Sequence, residues 1–228
     1  MNIHVERKTK QAQESVDHSD NRLFITYYTD PFCCWSWGYH EILQRLREEL
    51  ADKLNVRYVM SVLYPLSSPI QAPLEMAKAW DISASFMNIP LRSSIWQKKD
   101  PPVTSEHACL AVKTAGLQSV FAEQLCFHKM QEAVMMRGMN ISRHSIITLL
   151  AEELADEYPE DFKLLKFIKD FSEEKARKQL DKDVHYRTRQ GIEQLPTFHL
   201  STLKGKKMIL SGYKPYGVVR NSIRSMGL

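Results

Sequence analysis

The stretch LFITYYT-DPFCCWSWG-YHEILQRLREELADKL, residues 23–54, decides the fold. Its first seven residues are aromatic and β-branched, and they stop at Asp30-Pro31, which reads as a short buried strand. Beyond Gly38, Ile42, Leu43, Leu46 and Leu50 recur at helical spacing with charges between them. NVRYVMSV (55–62) then alternates as a second strand, so strand, helix and strand form a βαβ unit. Cys33 falls where the first strand hands over to the helix. The unpaired N–H groups and positive dipole end of a helix start favour a thiolate. Such sites lower a cysteine pKa from about 8.5 to about 3.5–7.5. A reactive Cys33 thiolate is therefore expected.

From Leu63 to about Gly191 the pattern is helical, with segments near 72–80, 104–115, 118–136, 143–157, 159–170 and 172–190. Gly191 stands where a helix-ending glycine belongs. Strand patterning returns at LPTFHL (195–200) and MILS (208–211), before a closing amphipathic helix carrying Val218, Val219, Ile223 and Met226. The expected organisation is a polar tail over 1–22, a discontinuous α/β unit from 23–62 and 191–228, and an all-helical insertion over 63–190. The last inserted helix is free to return to the α/β unit.

Composition narrows the function classes. With 43% apolar residues in 228 and a formal charge of only +4, the chain can bury a core and carries no basic stripe for nucleic acid. No run approaches the roughly 20 apolar residues of a membrane span. The first 22 residues are polar, without the apolar centre of a secretory leader, so a disordered tail and a cytoplasmic location are expected. In a reducing compartment Cys33, Cys34, Cys109 and Cys126 are expected free. No Cys/His spacing suggests a metal site.

The strand–DPxCxWxWG–helix pattern of residues 30–38 resembles the active-site segment of the DsbA-like thioredoxin superfamily, above all its cytoplasmic FrnE-type members. PVTSEHACLAVKTAG, FHKMQEAVMMRGMNIS and ILSGYKPYG resemble further stretches of those proteins, which extends the likeness to about residues 23–226. The resemblance implies a thioredoxin-like fold with an inserted helical subdomain. It also implies a cis-proline loop at Leu195-Pro196 facing Cys33, whose backbone clamps the substrate.

One departure governs the chemistry. The family's second active-site cysteine falls on Ser36, and a hydroxyl cannot resolve a mixed disulfide. What remains is monothiol chemistry: Cys33 as nucleophile, Ser36 as a hydroxyl donor to the thiolate, and glutathione or another small thiol as co-substrate. No other cofactor is implied, and the partner is a thiol or disulfide, protein or small molecule. Adjacent cysteines bridge only through a strained ring, so Cys34 reads as a spectator tuning Cys33, with a resolving role as its alternative. Trp35 is expected at the substrate rim and Trp37 beneath the site. His107 either lines the cleft between the lobes or is an ordinary first-turn residue. His40 reads as a surface or core histidine, and Cys109 and Cys126 as small buried hydrophobes. Two rival functions stand: a non-enzymatic adapter on the same scaffold, and an enzyme like the kappa-class glutathione transferases. The latter carry serine at the position of Cys33. The sequence assigns no oligomeric state.

Overall fold

In the computed structural model, residues 22–228 are described. The expected tail over 1–22 therefore lies, apart from Arg22, outside the described residues. Strand β1 (Leu23–Thr29) is central and pairs in parallel with β2 (Leu54–Met60) on one side. On its other side β3 (Thr197–Thr202) runs antiparallel, and β4 (Lys207–Ser211) pairs antiparallel with β3 at the edge. The sheet order is β2-β1-β3-β4. Helix α1 (Cys34–Trp37) is a single turn, and Gly38 joins it to α2 (Tyr39–Leu50). Gly38 is required there: a Cβ would lie 2.5 Å from Met87 Sδ and 2.8 Å from the Tyr213 ring.

Alternation along β1 divides the interior in two. Leu23, Ile25 and Tyr27 enter the main core with Val56, Tyr58 and Met60 of β2 and the buried stripe of α2. Tyr28 belongs to a second, small cluster with Cys33, Val59 and Leu195. Neighbouring residues of a strand point to opposite faces, so the sheet separates these clusters.

The helical region comprises α3 (Pro73–Met87), α4 (Glu106–Gly116), α5 (Val120–Met135), α6 (His144–Glu157), α7 (Leu164–Phe171) and α8 (Glu174–Arg189). Helix α3 runs seven residues past its expected end at 80, carrying exposed Ile82 and Phe86 that blur its apolar stripe. Helix α9 (Tyr216–Ser225) closes the chain, with Val219 and Ile223 buried.

A buried ion cluster fastens the helices to the sheet. Lys113 Nζ lies 2.6 Å from Glu123 Oε1 and 2.9 Å from Asp183 Oδ2. The same Asp183 oxygen accepts the Met60 N–H at 3.0 Å, so α4, α5, α8 and β2 meet at one point. Helix α8 packs on both α4 and β2. Helix α5 is capped by Ser119, whose Oγ accepts the Ala122 N–H at 2.9 Å. Ser119→Ala is expected to cost about 1 kcal/mol in chemical denaturation.

Candidate functional site at Cys33

Asp30 organises the turn that carries Cys33. The β1 strand ends in a fully buried carboxylate, whose Oδ1 accepts the Phe32 N–H at 2.7 Å. Its Oδ2 accepts from the Leu63 N–H at 2.7 Å, the Ser105 hydroxyl at 2.6 Å and the Cys109 thiol at 3.4 Å. To deliver the Leu63 amide, Val62 adopts φ +33°, a conformation a β-branched side chain rarely takes. Burial pushes the Asp30 pKa above the usual carboxylate range, against the opposing pull of its four donors. The Asp30 carbonyl accepts the Cys33 N–H at 2.9 Å and closes the turn. Sequence reading assigned Asp30 no role. The available signal was an acidic residue between an apolar strand and a proline.

Cys33 is the N-cap of α1. The Ser36 hydroxyl and amide both act on its thiol in the direction of the anion. The Ser36 Oγ itself accepts from Thr29 Oγ1 at 2.8 Å, which leaves its own proton available to the sulfur. Leu195 packs on Cys33, and the Leu195–Pro196 peptide bond is cis. So Cys33, Ser36, Leu195 and Pro196 form one constellation.

The expected thiolate is overturned. Cys33 is only 5% exposed, covered by Tyr28, Val59 and Leu195. Desolvation, helped by the neighbouring Cys34 and Asp30, pushes its pKa up to about 12 despite the two Ser36 donors. At neutral pH that keeps the sulfur protonated, whereas a free cysteine is a few per cent thiolate. Taking the sulfur out of water outweighs the pull of Ser36.

The other sequence candidates separate. Cys34 turns into the main core, where burial raises its pKa against the opposing pull of Ser83 of α3, away from the cluster that holds Cys33. All four cysteines are free. Trp35 is half-buried and touches both clusters, with its ring 5.5 Å from that of Phe86, which is 68% exposed. Trp37 stacks against His40 and His128. His107 is a correction to the cleft placement. Its Nδ1 contacts the Ser142 carbonyl at 2.8 Å and its ring meets His144. Ser105 and Cys109 reach Asp30, and two residues along a helix is about 200°, so His107 faces the opposite way.

Comparisons with known proteins agree with this architecture. The family model described as thioredoxin matches residues 27–221. A ClpXP adapter protein SpxH from Bacillus subtilis is 25% identical over 181 residues, which is 79% of this chain but only 58% of that relative. The fold is similar to a candidate protein disulfide isomerase from Nitrosomonas europaea: TM-score 0.74, 18% identity, covering 90% of this chain and 97% of the other. It is also similar to the cytosolic disulfide reductase DsbM from Pseudomonas aeruginosa: TM-score 0.69, 19% identity, covering 89% and 99%. DsbM has also been solved with GSH.

Proposed function

The chain belongs to the thioredoxin family, and from that premise we propose that it is a one-thiol exchange protein that captures a disulfide substrate at Cys33. The observation carrying this reading is that one thiol, not two, sits beside the Leu195–Pro196 loop, with Ser36 one turn along acting on it in the direction of the anion. The Cys33 thiolate attacks a disulfide R–S–S–R′, forms Cys33–S–S–R and expels R′–S⁻. With Ser36 in place of a resolving thiol and Cys34 turned into the main core, release waits for an outside thiol such as glutathione, which restores Cys33 and leaves with R as a mixed disulfide. The scarcity of thiolate, offset only in part by the greater nucleophilicity of a high-pKa sulfur, makes attack slower than for free cysteine. Slow capture with no internal release suits holding a partner more than processing a stream of substrate. The setting we propose is a reducing cytoplasm, where free cysteines persist. Among the described residues no helix is long and apolar enough to cross a membrane.

The test is site-resolved mass spectrometry of the intact protein. Glutathione disulfide is expected to leave one adduct, on Cys33, that persists until reduced glutathione is added. Alkylation of Cys33 is expected to accelerate through pH 10 without levelling, since a group titrating near 12 is still ionising there. No adduct on Cys33 at any pH overturns the proposal, while a plateau below pH 8 overturns the raised pKa.

A second reading, a non-covalent adapter, is favoured by the burial of Cys33 and by the similarity to proteins named as ClpXP adapters. It predicts that partner binding survives Cys33→Ala unchanged, whereas covalent capture predicts its loss.

A further inference from the structure

On the other side of the sheet from Cys33, a cavity of about 380 Å³ opens between α2 and α5. It reaches Ser36 at its inner end, while Cys33 is not among its lining residues. Three features make it a built site. First, Gln131 is 1% exposed, yet its Nε2 has no hydrogen-bond partner among the described residues, and neither has buried His128 Nδ1. A buried donor left unpaired costs about 1–3 kcal/mol, so an occupant that accepts from it recovers a standing penalty. Second, Arg47 lines the cavity and donates to the Tyr58 hydroxyl at 3.1 Å, and among the described residues no ion pair engages it. Third, the wall is flat and aromatic: the His40 and His128 rings lie 3.6 Å apart and within 8° of parallel. At the mouth, Phe121 and Tyr158 meet edge to face.

We propose that this cavity binds a small planar organic monoanion, an aromatic carboxylate in chemical class. Its carboxylate takes the Arg47 guanidinium and the Gln131 amide, and its ring lies against the aromatic wall. The size matches ordinary small-molecule sites, which are concave, mostly apolar and carry a few convergent polar groups. Burial holds His40 below its usual pKa and His128 at about 4, so both imidazoles are neutral near pH 7 and Arg47 supplies the positive charge. The proposal stands apart from the exchange reading, because it uses neither Cys33 nor a thiol.

The probe is 1-naphthoate, with uncharged 1-naphthamide as its counterpart, followed by calorimetry and by the ring resonances of His40 and His128 in the full chain. Naphthoate is expected to bind with a Kd of about 1 mM or below, shifting both histidine signals, and naphthamide about tenfold more weakly. Gln131→Leu is expected to weaken naphthoate at least about tenfold while leaving thermal stability unchanged or higher, since it removes an unpaired donor. Arg47→Met is expected to weaken naphthoate similarly and to leave naphthamide unaffected, which keeps the test decisive if the Gln131 variant does not fold. No binding at about 10 mM naphthoate, or binding indifferent to both substitutions, overturns the proposal. Equal affinity for naphthamide overturns the anion assignment.

Discussion

Ser36→Cys is expected to convert capture into turnover. Position 36 lies one helical turn from Cys33, at 1% exposure, with its hydroxyl already directed to that sulfur. A thiol placed there attacks the Cys33–S–S–R bond from within, expels R–S⁻ and leaves an internal disulfide that external thiol reduces. An attacking group held in place acts at an effective concentration far above millimolar glutathione, so the lifetime of the Cys33 adduct should fall by about a thousandfold or more. The backbone carbonyl of residue 36 keeps its bond from the Tyr27 hydroxyl, so the turn survives, although Thr29 loses a good acceptor. Quenched-flow mass spectrometry of the glutathione adduct measures the lifetime directly. If the variant releases glutathione no faster than the parent, residue 36 does not face the reacting sulfur.

The largest stability loss is expected from Lys113→Ala. It would strand Glu123 and Asp183, both about nine-tenths buried, with only the largely exposed Arg57 left, 3.9 Å from Asp183. Breaking one partner out of a buried ion cluster costs about 3–5 kcal/mol, because the remaining charges keep their desolvation penalty. Lys78→Ala is the natural comparison. Its pair with Glu75 is equally short at 2.9 Å, but both side chains are more than two-thirds exposed, and such pairs contribute about 1 kcal/mol at most. Urea midpoints for the two variants should therefore differ widely. A loss below about 1 kcal/mol for Lys113→Ala would mean that water reaches the cluster. Because Asp183 also holds the Met60 amide, hydrogen exchange should report β2 loosening in the same variant.

The elements nearest the motif could be read from local pattern because their signals are local. The expected strand over 23–29 is β1, and the stripe of Ile42, Leu43, Leu46 and Leu50 is the buried face of α2. The third strand begins at Thr197, two residues later than expected, because Leu195 and Pro196 form the loop instead. What sequence could not supply was the environment of the sulfur. Its position at a helix start is local, and argues for an anion. Its cover comes from Tyr28 and Val59 on two strands and from Leu195, which is 162 positions away, and that cover decides the protonation state. Asp30 escaped notice for the same reason: the Ser105 and Cys109 groups that satisfy it arrive from another lobe. For His107 the sequence left the cleft and the ordinary first-turn reading both open, because which way a helix turns its side chains depends on the lobe it packs against.

The main-chain ribbon between the two side-chain clusters works as a bulkhead. A disulfide held at Cys33 and an anion lodged beside Gln131 occupy separate compartments and do not collide. Ser36 touches both, acting on the sulfur from one side and lining the opposite chamber from the other. A route between the compartments runs through that serine and Tyr27, which donates to its carbonyl. Two tenants that never touch can thus be made to register one another through a single wall.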